Sequence, residues 1–378
     1  MYTCPDIADV NQIDTRLVAT DTDLASALAP LAHLDYLALD TEFMRERTYW
    51  PQLCLIQVAN AAGCVLVDPF TVTRLEPLTE LLADRSRTKI LHAARQDIEV
   101  LQLATGCIPA PIFDTQIAAS LLGLPAQIGY GELVRRRLGS ELVKGHARTD
   151  WARRPLHEDQ LAYAADDVRY LVPLYAQLCR DLVAAGGRLD WLFEETRALE
   201  NPALYETMPA DAWRRLRGLD RLRPVQRAVA RTLAEWRESL ARQSDKPRGW
   251  ILTDEILRVL VERLPSSVEA LAAIPGLPAA TARKRGAELI ERIRTAMAGA
   301  PDGADAVRPT RPDPEQVQRV GQLMKLVRTT AESNQIAPEL LATRRDVERF
   351  VFSGDPGALA RGWRYEVLGR RLLEVERT

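Results

Sequence analysis

Long apolar runs are missing from this 378-residue chain. No stretch approaches the roughly 18 uninterrupted apolar residues of a membrane-spanning helix, and no basic segment followed by an apolar run opens the N-terminus, so neither membrane insertion nor export is expected. Histidine is scarce, at four residues, and the five cysteines (Cys4, Cys54, Cys64, Cys107 and Cys179) are scattered without a Cys-x-x-Cys pair. An odd, dispersed set with so few histidines beside it disfavours a disulfide framework and a zinc finger. The cytoplasm is the compartment these absences leave. What is present, 47% hydrophobic and 27% charged residues, excludes disorder and provides for two or three domains with real cores.

A net charge of -2 hides an asymmetry. Residues 1–200 hold 28 acidic and 19 basic residues, whereas residues 201–300 hold 18 basic and 12 acidic ones, including "RRLRGLDRLR" and "RKR" at 283–285. A basic appendage on an acidic domain suits a polyanion led to an acidic site, and it equally suits a solvated helix face.

The first half alternates two periodicities. "YLALDTE" (36–42), "LCLIQVAN" (53–60), "CVLVDP" (64–69) and "TKILHA" (88–93) read as strands; "LEPLTELLAD" (75–84), "RQDIEVLQLAT" (95–105) and "DTQIAASLLG" (114–123) carry helical spacing. A sheet covered by helices follows. Beyond about residue 150 strand signals nearly vanish and apolar residues recur at helical spacing, which predicts two small helical domains. "GAPDGADAVRPTRPDPE" (299–315), rich in helix breakers, reads as the linker between them, and the segments on either side form a weak internal repeat.

The apolar run at 36–39 ends in Asp40 and Glu42. Residues two apart on a strand share a face, so these acids project side by side, and like charges that close call for open water or a cation, a divalent metal above all. Asp97 falls early in a predicted helix, where the helix dipole alone would favour an acid. Tyr163 and Asp167, four apart in "LAYAADDVRYLVPLY", lie one turn apart on one helix face. Taken singly, each also has an ordinary structural role, as a solvated acid or a core aromatic.

In order, "LALDTEF", "LHAARQDIEVL", "FDTQIAASLLG" and "YAADDVRYL" resemble the motifs of the DEDD superfamily of 3′-to-5′ exonucleases, and the tyrosine four residues before the last aspartate is similar to its tyrosine subclass. "RTYWPQLCLIQVA" and "RTDWARRPL" are close to bacterial ribonuclease D, and the tail resembles two HRDC (helicase and ribonuclease D C-terminal) domains, the second more diverged. The resemblance implies an α/β ribonuclease H-like exonuclease domain over residues 1–205, with a mixed sheet flanked by helices, then two all-α HRDC-type domains over 215–298 and 316–378.

It further implies that Asp40, Glu42, Asp97 and Asp167 ligate two divalent cations, Mg²⁺ first with Mn²⁺ as substitute, and that Tyr163 orients the attacking water. Hard cations take oxygen ligands, which explains the acids. Asp166 competes with Asp167 for the last place, but the count of four from Tyr163 reaches Asp167, and Asp166 lies about 100° from it around the helix. None of His33, His92, His146 or His157 stands at the Tyr163 position, and His92 reads as structural or substrate-adjacent. Lys144, Arg148, Arg153 and Arg154 could bind phosphates or simply be solvated. The activity implied is a metal-dependent exoribonuclease trimming 3′ ends of precursor tRNA and other RNA, with no membrane and no obligate protein partner. A proofreading-type DNA exonuclease and a non-catalytic RNA-binding protein on the same scaffold are the alternatives. If the tail serves only to guide RNA, removing everything after about residue 205 leaves a working nuclease.

Overall fold

The computed structural model describes residues 4–143, 145, 149–206, 208–218, 222–300 and 313–375. Two compact units divide the chain: one gathers Met1–Met44, Leu53–Pro202 and Pro312–Thr378, the other Arg45–Gln52 and Ala203–Arg311.

The first unit is built on a six-stranded sheet. Its strands are β1 (Thr15–Val18), β2 (Tyr36–Met44), β3 (Gln52–Asn60), β4 (Gly63–Val67), β5 (Thr88–Leu91) and β6 (Ile112–Asp114), in the order β1-β4-β3-β2-β5-β6. β1 pairs parallel with β4, β3 antiparallel with β4, and β2, β5 and β6 run parallel, which makes the sheet mixed. Tyr36, Leu37, Ala38 and Leu39 of β2 are all buried although they alternate in direction, because helices cover both faces of this central strand. Those helices are α1 (Asp21–Leu28), α2 (Glu76–Ala83), α3 (Arg95–Thr105), α4 (Thr115–Leu121), α5 (Tyr130–Leu138), α6 (Glu158–Arg169), α7 (Leu171–Ala184) and α8 (Arg188–Thr196). The expected strands and helices form. The short strands β1 and β6 carry too few residues for a periodic signal and, like α1, were not expected.

The second unit is helical: α9 (Pro224–Ser244), α10 (Arg248–Ile251), α11 (Asp254–Arg263), α12 (Val268–Ala272) and α13 (Ala279–Ala298), packed around Val229, Leu233, Leu257, Leu260, Leu289 and Ile293. It also claims the segment that joins β2 to β3. The Tyr49 and Trp50 amides donate to Asp245 Oδ1 at 3.0 and 3.1 Å, and the Tyr49 hydroxyl donates to buried Glu238, which also accepts from Arg248. With the Arg242 guanidinium over the Trp50 ring at 5.1 Å, both aromatics of "RTYWPQL" have side-chain contacts in this unit.

The last helices, α14 (Pro314–Ser333), α15 (Pro338–Leu341), α16 (Arg344–Ser353), α17 (Gly362–Arg364) and α18 (Arg370–Val375), belong to the first unit. Val320, Leu323, Val327, Phe350 and Trp363 share one apolar core with the residues around the sheet. Trp363 stacks on Trp191 with centroids 4.9 Å apart and donates its indole N–H to Glu195 at 2.6 Å. Arg188 donates to the carbonyls of Leu121 (2.7 Å) and Gln335 (3.2 Å), and the Ala337 amide donates to the Ser120 carbonyl at 2.8 Å. Gly123 is required at this seam: its φ is +81°, and a Cβ there would lie 3.0 Å from the Gln335 carbonyl oxygen. Most of the 299–315 linker, residues 301–312, lies outside the described residues.

Cys4 and Cys179 are joined by a disulfide across 175 residues of chain. Folding brings together thiols that linear spacing keeps apart, so a single bond forms without a framework. Cys54 and Cys64, both buried, and half-buried Cys107 take no part in a disulfide.

Candidate active site

β2 delivers Asp40 and Glu42 to one face of its C-terminal end, as its alternation requires. Between them, buried Thr41 donates its hydroxyl to Asp97 Oδ1 at 2.6 Å. Asp97 sits in the first turn of α3, and the turn leading into that helix is strained: Ala93 has φ +56°. Buried Asp114 holds the turn, its carboxylate accepting the amides of Ala93 (3.2 Å) and Ala94 (2.9 Å) while also capping α4 through Gln116 (2.8 Å) and Ile117 (3.3 Å). α6 starts at a capping box in which His157 accepts from Asp159 N and Gln160 accepts from His157 N. One turn apart on that helix, the Tyr163 hydroxyl donates to the Asp167 carboxylate, and the Tyr163 ring lies 6.2 Å from that of buried Trp151.

Among the described residues, Asp40, Glu42 and Asp167 offer oxygens that all lie within 4.8 Å of one another. Asp97 stands beside this trio, turned toward Thr41, and its charge bears on both Asp40 and Glu42. Burial, then the neighbouring carboxylates, pushes Asp40 well above the ordinary carboxylate range and Glu42 up to about 9. Burial raises Asp97 to about 6 and Asp167 to about 7. Acids that strain against their own charge could hold a hard divalent cation, which would supply the missing positive charge. Asp166 is directed elsewhere, into an ion pair with Arg169. A cavity of about 600 Å³ opens over the cluster, lined by Asp40, Tyr163 and Asp167 and also by His92, Tyr130 and Arg135.

His92 lines that cavity while both its ring nitrogens are engaged, Nδ1 with the Thr115 hydroxyl (2.9 Å) and Nε2 with the Ile128 carbonyl (3.0 Å). Of the basic cluster considered for phosphates, Lys144 and Arg148 lie outside the described residues, as does His146, and Arg153 is exposed. Arg154 is committed to the fold. Its guanidinium grips Asp68 at 2.6 and 2.9 Å, donates to the Cys54 carbonyl at 2.6 Å and covers the Phe70 ring. Thr41, Asp114 and Tyr130 are the supporting residues that sequence reasoning passed over. Only Asp114 left a signal, as an acid between a short strand and a helix in "FDTQIAAS", where it reads as a helix cap.

An acid cluster with a tyrosine, at the end of the central strand of a mixed sheet, defines a 3′-to-5′ exonuclease of the DEDD kind. A family model described as 3′-5′ exonuclease matches residues 15–183, and one described as HRDC domain matches 226–293. Proteins named ribonuclease D from Nitrobacter hamburgensis and Pseudomonas paraeruginosa are 38% and 37% identical to this chain, over 95% and 96% of it and 94% and 97% of their own lengths. The crystal structure of Escherichia coli RNase D, an exoribonuclease involved in structured RNA processing, superposes with a TM-score of 0.86 at 32% identity, covering 97% of this chain and 99% of that one. The catalytic core of RRP6 from Trypanosoma brucei shares the fold at 23% identity, with a TM-score of 0.61 over 79% of this chain and 84% of its own. The chain belongs to the ribonuclease D family. It is a metal-dependent exonuclease by that membership, and no helix among the described residues is long and apolar enough to cross a membrane.

Proposed function

We propose that this protein removes nucleoside 5′-monophosphates one at a time from RNA 3′ ends, precursor tRNA among them, in the cytoplasm. The convergence of Asp40, Glu42 and Asp167 within 4.8 Å, beside a tyrosine hydroxyl, carries the reading. Asp40, Glu42, Asp97 and Asp167 would hold two divalent ions, Mg²⁺ first and Mn²⁺ as substitute; such a pair, when bound, activates a water and stabilises charge on the departing 3′-oxygen.

The chain's own residues have separate tasks. Tyr163 keeps its proton, because burial and then the charges of Asp167, Glu42 and Asp40 raise its pKa. It therefore works as a hydrogen-bonding group that holds and orients the attacking water, with Asp167 fixing the hydroxyl's direction and Trp151 backing the ring. Thr41 and Asp114 hold Asp97 where it meets the β2 acids. In the helical unit, exposed Trp250 stands with Lys246, Lys284 and Arg285 around a groove of about 240 Å³. An aromatic face ringed by cations suits stacking of a single-stranded base while the cations meet its phosphates, in keeping with the basic excess of residues 201–300.

A tRNA bearing extra 3′ nucleotides, with matched single-stranded RNA and DNA, tests the reading when products are resolved by length in Mg²⁺ or EDTA. Stepwise shortening of RNA that EDTA abolishes is expected. Equal or faster digestion of DNA would replace it with the DNA exonuclease, and binding without hydrolysis would leave the non-catalytic scaffold. Tyr163→Phe should lower single-turnover hydrolysis by ~10²–10⁴ while leaving Mn²⁺ binding intact.

A further inference from the structure

Tyr130 lines the cavity over the acid cluster, and none of the four motifs contains it. It opens α5, directly after the stretch 122–129. Two side chains fasten that stretch to the body of the domain: His92 Nε2 and the Gln116 amide both donate to the Ile128 carbonyl, each at 3.0 Å. The Tyr130 ring then packs on the His92 ring, centroids 5.5 Å apart. A tyrosine braced this way has few positions open to its hydroxyl.

That hydroxyl donates to the backbone carbonyl of Asp166 at 3.0 Å. The acceptor lies in the last turn of α6, where carbonyls run out of helical partners. The amide that reaches it along the chain is that of Tyr170, at a long 3.4 Å, because α6 stops at Arg169 and α7 begins at Leu171. Asp167 occupies this same turn. A clamp on the Asp166 carbonyl therefore sets the height and rotation of the turn that presents the Asp167 carboxylate, and through it the Tyr163 hydroxyl bonded to that carboxylate.

We propose that Tyr130 is a positioning residue of the reaction: its hydroxyl, braced by His92, fixes the C-terminal turn of α6 so that Asp167 meets Asp40 and Glu42 at ligand distance. The proposal rests on the metal-dependent reading of the acid cluster. Groups that orient ligands from behind commonly govern metal affinity by about 10–100-fold, and a single neutral hydrogen bond belongs at the lower end of that range.

Tyr130→Phe keeps the ring and its packing while deleting the clamp. Calorimetric titration with Mn²⁺ should show binding about 10-fold weaker than in the unaltered protein. The Mg²⁺ concentration for half-maximal hydrolysis of a single-stranded RNA should rise in parallel, with KM for RNA unchanged and much of kcat recovered at high Mg²⁺. Tyr49→Phe, which removes another bonded tyrosine hydroxyl in the other unit, is the control and should leave the Mn²⁺ isotherm alone. An unchanged isotherm for Tyr130→Phe, or an equal loss in the control, overturns the proposal. So does an unfolded Tyr130→Phe protein, since a hydroxyl that only positions Asp167 is dispensable for the fold. Failure of the functional reading looks different: the unaltered protein would then bind no Mn²⁺ or leave RNA intact.

Discussion

If the acid cluster holds metal as proposed, protons and metal compete for the same carboxylates, and the competition has a sign. The folded protein holds Asp97, Asp167 and Glu42 protonated up to about 6, about 7 and about 9, above their unfolded values of 3.8, 3.8 and 4.5. Groups whose pKa rises on folding bind more protons in the native state, so metal-free stability is greatest below the unfolded values and declines as pH climbs through the folded ones. In EDTA the Tm should therefore fall from about pH 5 to about pH 9, and Mg²⁺ should restore most of the loss at the alkaline end. Asp167→Asn should abolish hydrolysis yet raise the metal-free Tm near pH 8, because it removes a charge that the site strains to hold. A Tm in EDTA independent of pH, or an Asp167→Asn protein that melts lower, would contradict this account. Asp166→Asn, away from the cluster, should be mild in both assays.

At the level of elements, α3 and α4 depend on one carboxylate. Asp114 accepts four backbone amides, two from the turn before α3 and two from the first turn of α4. The strained Ala93 backbone is tolerable only while those bonds exist. Asp114→Ala strands the buried Ala94 amide and three part-buried ones and frees the turn that carries Asp97, so urea unfolding should show a loss of about 2–4 kcal/mol. Asp114→Asn, whose amide oxygen still accepts, should lose less. A cost under ~0.5 kcal/mol for Asp114→Ala would mean that water replaces the carboxylate freely and that the turn stands by itself. The "FDTQ" stretch was legible as part of a family signature, but nothing in a linear string shows that its acid reaches back 20 residues to the turn preceding Asp97.

For the whole molecule, the compact units do not follow chain order. A tail that merely guides RNA could be cut off after about residue 205, but the final helices complete the apolar core of the sheet-bearing unit. Such a truncation would expose the surfaces that Val327, Phe350 and Trp363 now cover, and it should yield insoluble or unfolded protein. Replacing residues 206–311 with a flexible linker is the productive deletion. It should keep a folded unit that trims short single-stranded RNA, while affinity for a structured RNA drops and the log-log salt slope shrinks by ~0.7–0.9 for each phosphate that the deleted cations had neutralised. An active, soluble 1–205 fragment would show that the last helices are an accessory. An internal deletion with unchanged salt slope would remove the helical unit from RNA guidance.

Local chemistry was enough to find the central strand, its two terminal acids and the helix face shared by Tyr163 and Asp167, because strand and helix periods are properties of the chain itself. Likeness to a family ordered those pieces into an exonuclease. What depended on tertiary structure was every relation between residues far apart in sequence: Thr41 on Asp97, Tyr130 on Asp166, Arg154 spent on Asp68, Cys4 joined to Cys179, and the return of the last helices to the first domain's core. Those partners are chosen by packing and by the need to satisfy buried polar groups, and neither leaves a period in the sequence.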